Sequence, residues 1–158
     1  MFAAADIPEG RRILKIDDSR VVTDESPLRE EEGEYERHCD YLAEGKVVLM
    51  QKPERYINHS CSPNVYVETV GETRYVVAQR DVRQDDEITY DYCIDASGAD
   101  VWECNCGSPE CREINHDFFD LPMPKQLEYL EYLSPWFQRE HRDRVEKLKR
   151  KTVRWNRD

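Results

Sequence analysis

At 158 residues, with 34 Asp and Glu against 23 Lys and Arg and a formal net charge of -11 at pH 7, the chain has the length of one domain with its own core. No apolar run approaches the roughly 20 residues that a membrane span needs, and the first residues lack a basic stretch followed by a long apolar core, so an intracellular protein is predicted. The charge is segregated: residues 1–138 carry 14 basic and 30 acidic side chains and residues 139–158 carry 9 and 4, so the body repels nucleic-acid phosphates and attracts basic peptides.

Residues 2–10 read as a short apolar piece ending in an Ile7-Pro8-Glu9-Gly10 turn, and residues 12–16 as a strand. Residues 24–36 hold seven acidic side chains against one arginine, and Pro27 and Gly33 break the helical propensity there. A loop-rich insert with one helical turn is predicted. Cys39-Asp40-Tyr41-Leu42 then leads through a Glu44-Gly45-Lys46 turn to a strand at 47–50. Five consecutive residues that can hydrogen-bond or ligate a metal follow, Asn58-His59-Ser60-Cys61-Ser62, ending in a Pro63-Asn64 turn. Runs 65–70 and 74–78, rich in β-branched and aromatic residues around Gly71-Glu72-Thr73, predict a hairpin. Residues 87–92 form the next predicted strand. No repeat or βαβ rhythm is present, so the core is expected to be mainly β.

Residues 126–133 carry apolar side chains at helical spacing, Ser134-Pro135 marks a break, and residues 136–151 form a second, highly charged helix candidate. The first is expected to cover the domain. The second, with Arg139, Arg142, Arg144, Lys147, Lys149, Arg150 and Lys151, is a solvated helix, a partner for the acidic body, a weak nucleic-acid contact or a nuclear address.

Cys104, Cys106 and Cys111 sit in one short loop with Gly107 and Pro109, where metal ligation explains the spacing better than a disulfide, since a Cys-x-Cys pair is poorly placed to bridge to itself. Cys39 and Cys93 are read as free, structural thiols.

Three segments in register carry a resemblance: Asn58-His59-Ser60-Cys61-Ser62-Pro63-Asn64, Glu87-Ile88-Thr89-Tyr90-Asp91-Tyr92, and Cys104-x-Cys106-x4-Cys111. Together they resemble the SET domain of protein-lysine methyltransferases followed by a post-SET zinc loop. The resemblance implies a mainly β fold with short helices, of the β-clip type with a knot-like crossing of two motif segments, and a C-terminal helical extension. It divides the chain into a SET domain at 1–95, a post-SET loop at 100–115 and a basic helical extension at 116–158. The glycine pair that precedes Phe-Ala in this family would fall before Met1, so the cofactor pocket is expected to close differently or to be incomplete. The cysteine-rich pre-SET segment of some histone methyltransferases is not among these 158 residues, so specificity is expected to lie in the acidic insert, the C-terminal helices or a partner.

The resemblance also implies site residues. Tyr92 takes the catalytic position, Tyr90 the place where the family alternates Phe and Tyr, with a lean toward mono- or dimethylation, and Tyr41 a wall of the lysine channel. Arg55, Asn58, His59, Tyr92 and Asn105 would hold S-adenosyl-L-methionine, and Cys61 would join Cys104, Cys106 and Cys111 around one structural Zn2+. The acidic insert would favour a basic, lysine-containing protein or peptide, a histone tail among the candidates. Localisation would be nuclear in a eukaryote and cytoplasmic in a prokaryote. A catalytically silent binding or scaffolding module is the competing reading.

Overall fold

The computed structural model describes residues 1–98 and 101–155; Asp100, assigned above to the cysteine loop, and residues 156–158 of the C-terminal segment lie outside them. As expected, the body is built of short strands. Strand β1 (Arg12–Lys15) and strand β2 (Val21–Val22) precede the acidic insert, and β3 (Cys39–Tyr41) and β4 (Val47–Leu49) follow it. Strand β4 lies between β2 and β3 in one antiparallel sheet.

The insert forms two 3-10 turns, Glu30–Glu32 and Glu36–His38, rather than one helical turn. Glu34 between them is buried, with Arg20 at 2.7 Å and Arg29 at 2.8 Å. The two guanidiniums hold its carboxyl well below the usual range, so part of the insert's negative charge is neutralised internally.

Strand β5 (Asn58–His59) opens the Asn-His motif. Strands β6 (Val65–Val70) and β7 (Thr73–Ala78) form the predicted hairpin, with β1 added on the far side of β7. Thr73 pairs with Val70, which shortens the turn to Gly71-Glu72. Gly71 has φ +63°, a left-handed value at the first central position that glycine takes without steric cost. Val65, Val76 and Ala78 are buried with Ala3, Ile16, Ile57, Val82 and Ile88 in the first core. Arg74 is also buried, because it pairs with Asp18 at 2.6 Å and with Asp40, tying β7 to the sheet that holds β3.

The strand expected at 87–92 reduces to β8 (Thr89–Tyr90). Its partner β5 is equally short, and the two run parallel, Asn58 opposite Thr89 and His59 opposite Tyr90. Asn64 braces this crossing: its side chain donates to the Glu87 carbonyl at 2.8 Å and accepts from Thr89 N–H at 2.9 Å. Beyond it, β9 (Trp102–Glu103) and β10 (Ile114–Asn115) pair antiparallel across the cysteine loop.

Among the described residues, three α-helices follow the strands: α1 (Met123–Glu128), α2 (Pro135–Glu140) and α3 (Arg142–Trp155). Ser134 does not merely break a helix but starts one, its hydroxyl accepting from Phe137 N–H at 3.2 Å, with Pro135 in the first turn. The single helix expected at 136–151 is split at His141, which has φ -106° and ψ 29° and whose ring packs on Phe137 and Phe119. Phe118, Tyr129, Leu133, Phe137, Val145 and Leu148 form a second core with Cys93, so the helical extension packs directly on the end of the strand body. No helix among the described residues is long and apolar enough to cross a membrane.

Candidate active site and metal centre

The β5–β8 crossing brings the first two motif segments together. Ser60 N–H donates to the Tyr90 carbonyl at 3.0 Å, and Tyr92 N–H donates to His59 Nδ1 at 3.1 Å. The Tyr92 hydroxyl donates to the Ile57 carbonyl at 2.8 Å. Its ring lies 4.8 Å from that of Tyr90 and 5.3 Å from the His59 imidazole. Burial raises both phenols above their ordinary values, Tyr90 strongly, so neither is ionised near neutral pH. A phenol that gives its proton to a carbonyl keeps its oxygen lone pairs as acceptors.

Asn58 is exposed beside this cluster and its amide donates to Glu87 at 2.7 Å. Arg55 donates to the Met50 carbonyl at 2.9 Å, bracing the approach to β5. Asn105 is exposed in the cysteine loop. Tyr41 lies on the exposed side of β3, its hydroxyl donating to Glu36 at 3.2 Å. Trp102, which sequence reasoning passed over, puts its ring 4.9 Å from His59 and 6.1 Å from Tyr92. A Trp two residues before Cys104 was the available signal.

The cysteines meet the same crossing from the other side. The ligand atoms of His59, Cys61, Cys104 and Cys106 lie within 4.8 Å of one another, a His/Cys cluster able to hold a metal ion. The Cys61 and Cys104 sulfurs are 3.8 Å apart, about the edge of a tetrahedron with metal–sulfur bonds of ~2.3 Å. Burial raises the Cys61 thiol to about 12 and also raises Cys104. Burial opposes ionisation of Cys106 too, but N–H donors at Cys61 and Ser108 and the thiols of Cys104 and Cys111 bring it down to about 6. A divalent cation in the cluster would stabilise the remaining thiolates, so this sulfur-rich donor set fits zinc.

His59 is the less suitable ligand. Burial lowers its pKa to about 4, so the ring is neutral at pH 7, and Nδ1 already accepts from Tyr92 N–H. With Nδ1 accepting, the ring proton falls on Nε2, 3.3 Å from Cys61 sulfur and so within donating reach of it. Cys111 is the third thiol of the loop, near Cys104 and Cys106, with its sulfur 3.5 Å from the Cys104 carbonyl.

A further pair joins the two halves. Asp91, fully buried between Tyr90 and Tyr92, accepts from Arg112 at 2.7 and 2.8 Å. Arg112 follows Cys111 directly, and its backbone N–H lies 3.4 Å from Cys61 sulfur. Asn115, also fully buried, accepts from the same guanidinium at 2.6 and 3.0 Å. The cysteine loop is thus tied to the aromatic strand by an ion pair as well as by its sulfurs.

The parallel crossing, the aromatic strand and the closing cysteine loop define a SET-type fold. The chain belongs to the SET domain family, whose model matches residues 1–93. It is 33% identical over 124 residues to "Histone-lysine N-methyltransferase trr" of Drosophila melanogaster, a match covering 72% of this chain and 5% of that protein. It is 43% identical over 61 residues to "Histone-lysine N-methyltransferase, H3 lysine-36 specific" of Debaryomyces hansenii, covering 36% of this chain and 8% of the relative. The chain therefore spans only a small part of the curated relatives it matches. Among solved structures, that of KRYPTONITE in complex with mCHG DNA and SAH is similar at a TM-score of 0.50 and 20% identity, covering 72% of this chain and 26% of that one, a likeness of fold.

Proposed function

We propose that the chain transfers a methyl group from S-adenosyl-L-methionine to the side-chain amine of lysine in a basic protein or peptide. The observation that carries this reading is the Tyr92 hydroxyl, held by the Ile57 carbonyl at 2.8 Å within an aromatic cluster at the β5–β8 crossing. Membership of the SET family and relatives named as histone-lysine N-methyltransferases support it.

When bound, the cofactor supplies a methyl group on a sulfonium, whose S–C bond breaks with both electrons left on sulfur as the lysine nitrogen forms the new N–C bond. The lysine must arrive uncharged, its proton released to water, which costs about 4 kcal/mol near neutral pH. An aromatic-walled channel lowers that cost by disfavouring the ammonium. We assign this wall to Tyr90, Tyr92 and Trp102, with Tyr41 at its outer edge. The Tyr92 oxygen accepts from the polarised methyl or the amine, and positioning supplies several kcal/mol of the barrier. Asn58, His59, Arg55 and Asn105 are assigned to cofactor binding, and a Tyr at position 90 favours mono- or dimethylation by narrowing the space.

Cys61, Cys104, Cys106 and Cys111 are proposed to hold one structural Zn2+, with His59 donating to the Cys61 thiolate. We keep the division into a SET domain at 1–95, a zinc loop at 100–115 and a helical extension at 116–158, and propose a nuclear, chromatin-directed role if the source is eukaryotic. The test is a calorimetric titration of the zinc-loaded chain with S-adenosyl-L-methionine, followed by assays on lysine-rich peptides. Micromolar binding with methyl transfer is expected. Binding of peptide without cofactor would instead identify a silent SET module.

A further inference from the structure

Tyr129 lies in the 3-10 turn that follows α1, beyond the residues that the family model matches. It is fully buried, and its hydroxyl crosses from the helical extension to the motif strand to donate to Asp91 Oδ2 at 3.1 Å. That oxygen also accepts from Arg112 Nη1 at 2.7 Å, while Oδ1 accepts from Arg112 Nη2 at 2.8 Å and from Cys93 N–H at 3.0 Å. Two donors on each oxygen fix the carboxylate in its plane. Asp91 stands between Tyr90, whose carbonyl accepts from Ser60 N–H at 3.0 Å, and Tyr92, whose N–H reaches His59 Nδ1 at 3.1 Å. Rotation of the carboxylate therefore shifts the backbone that aims the Tyr92 phenol.

We propose that Tyr129 is a positioning residue for methyl transfer: its hydroxyl locks the Asp91–Arg112 pair, so the helical extension is part of the active site. The inference rests on the methyltransferase reading. Without the Tyr129 hydroxyl, Oδ2 keeps only Arg112 Nη1, and the carboxylate is free to turn about its bonds to Arg112 and Cys93 N–H, with the lone pair of His59 Nδ1 3.6 Å from Oδ1. A displacement of ~1 Å at the reacting groups can cost roughly a hundredfold in rate, and a hinge movement of a fraction of that is expected here.

The experiment compares Tyr129→Phe with wild type and with Tyr132→Phe, which removes a hydroxyl from the same segment but not from Asp91. In the zinc-loaded full chain, Tyr129→Phe should lower kcat about tenfold with KM for cofactor and peptide within about twofold, and Tyr132→Phe should leave kcat unchanged. An unchanged kcat for Tyr129→Phe, with only a lower Tm, overturns the inference. If the wild type transfers no methyl group to any peptide, the methyltransferase reading has failed on its own. Amide hydrogen exchange then decides: exchange at Tyr92 and Ser60 faster by about tenfold, with Val76 unaffected, supports the lock, and equal exchange overturns it.

Discussion

Asp91 and Arg112, 21 positions apart, form a two-pronged ion pair at 2.7 and 2.8 Å with the carboxylate fully buried. Burial works against the charged guanidinium, and the facing carboxylate outweighs it and raises the Arg112 pKa above its ordinary value. The pair joins the strand bearing the two motif tyrosines to the loop bearing three cysteines. Neither element has a large core of its own, so this contact and the sulfur cluster do most to hold the loop against the crossing.

Removing Arg112 leaves that carboxylate without its counter-charge. Arg112→Ala is therefore expected to lower stability by about 3–5 kcal/mol in denaturant titration. A loss below about 1 kcal/mol, the size of an exposed pair, would mean that water reaches Asp91.

The metal centre makes its own prediction. The purified chain should carry one zinc, and Cys106→Ser or a strong chelator should release it. Because structural zinc contributes on the order of 10 kcal/mol to small loops, amide exchange should rise through residues 101–115 while the β6–β7 hairpin stays protected. Metal-free protein with a fully protected loop would contradict the assignment of the four thiols. His59→Ala should weaken zinc binding much less than Cys61→Ser, as expected for a donor to the sulfur rather than a ligand.

Asp95 predicts a pH effect. Burial raises its carboxyl to about 7, although Ser134 N–H, at 2.9 and 3.2 Å, opposes the shift. The folded state then holds this proton more tightly than the unfolded chain, so stability from this group is greatest below pH ~4 and is lost as pH rises toward 7. Asp95→Asn should be more stable than wild type by roughly 1–3 kcal/mol at pH 8 and nearly equal to it at pH 4. Asn also suits the left-handed backbone there, φ +63°. A variant equally or less stable at pH 8 would show that Asp95 is ionised at little cost.

Much of this was legible from local chemistry. Val65 and Val76 announced a hairpin through β-branched alternation, and Cys104, Cys106 and Cys111 announced a metal loop through spacing. What escaped was non-local. The β5–β8 crossing was expected from the family resemblance but not from local chemistry, since a parallel pair two residues long leaves no period in sequence. Tyr129 read as one more apolar residue on a helical face, because its partner Asp91 lies 38 positions upstream. His141 ends α2 without any Gly or Pro, its ring 4.4 Å from that of Phe137, an instance of packing overriding propensity. Nothing local in the hairpin strand marked Arg74 as buried, because its partners Asp18 and Asp40 come from distant segments.

The central claim is that the Tyr92 hydroxyl at the crossing serves methyl transfer. The most direct measurement is mass spectrometry of a lysine-rich peptide after incubation with S-adenosyl-L-methionine and either wild-type or Tyr92→Phe protein, both checked for zinc and cofactor binding. Methylated lysine with wild type, and a rate at least roughly a hundredfold lower with the variant while cofactor affinity holds, is the predicted result. Equal rates for the two proteins, or cofactor binding without any methylated lysine, would contradict it.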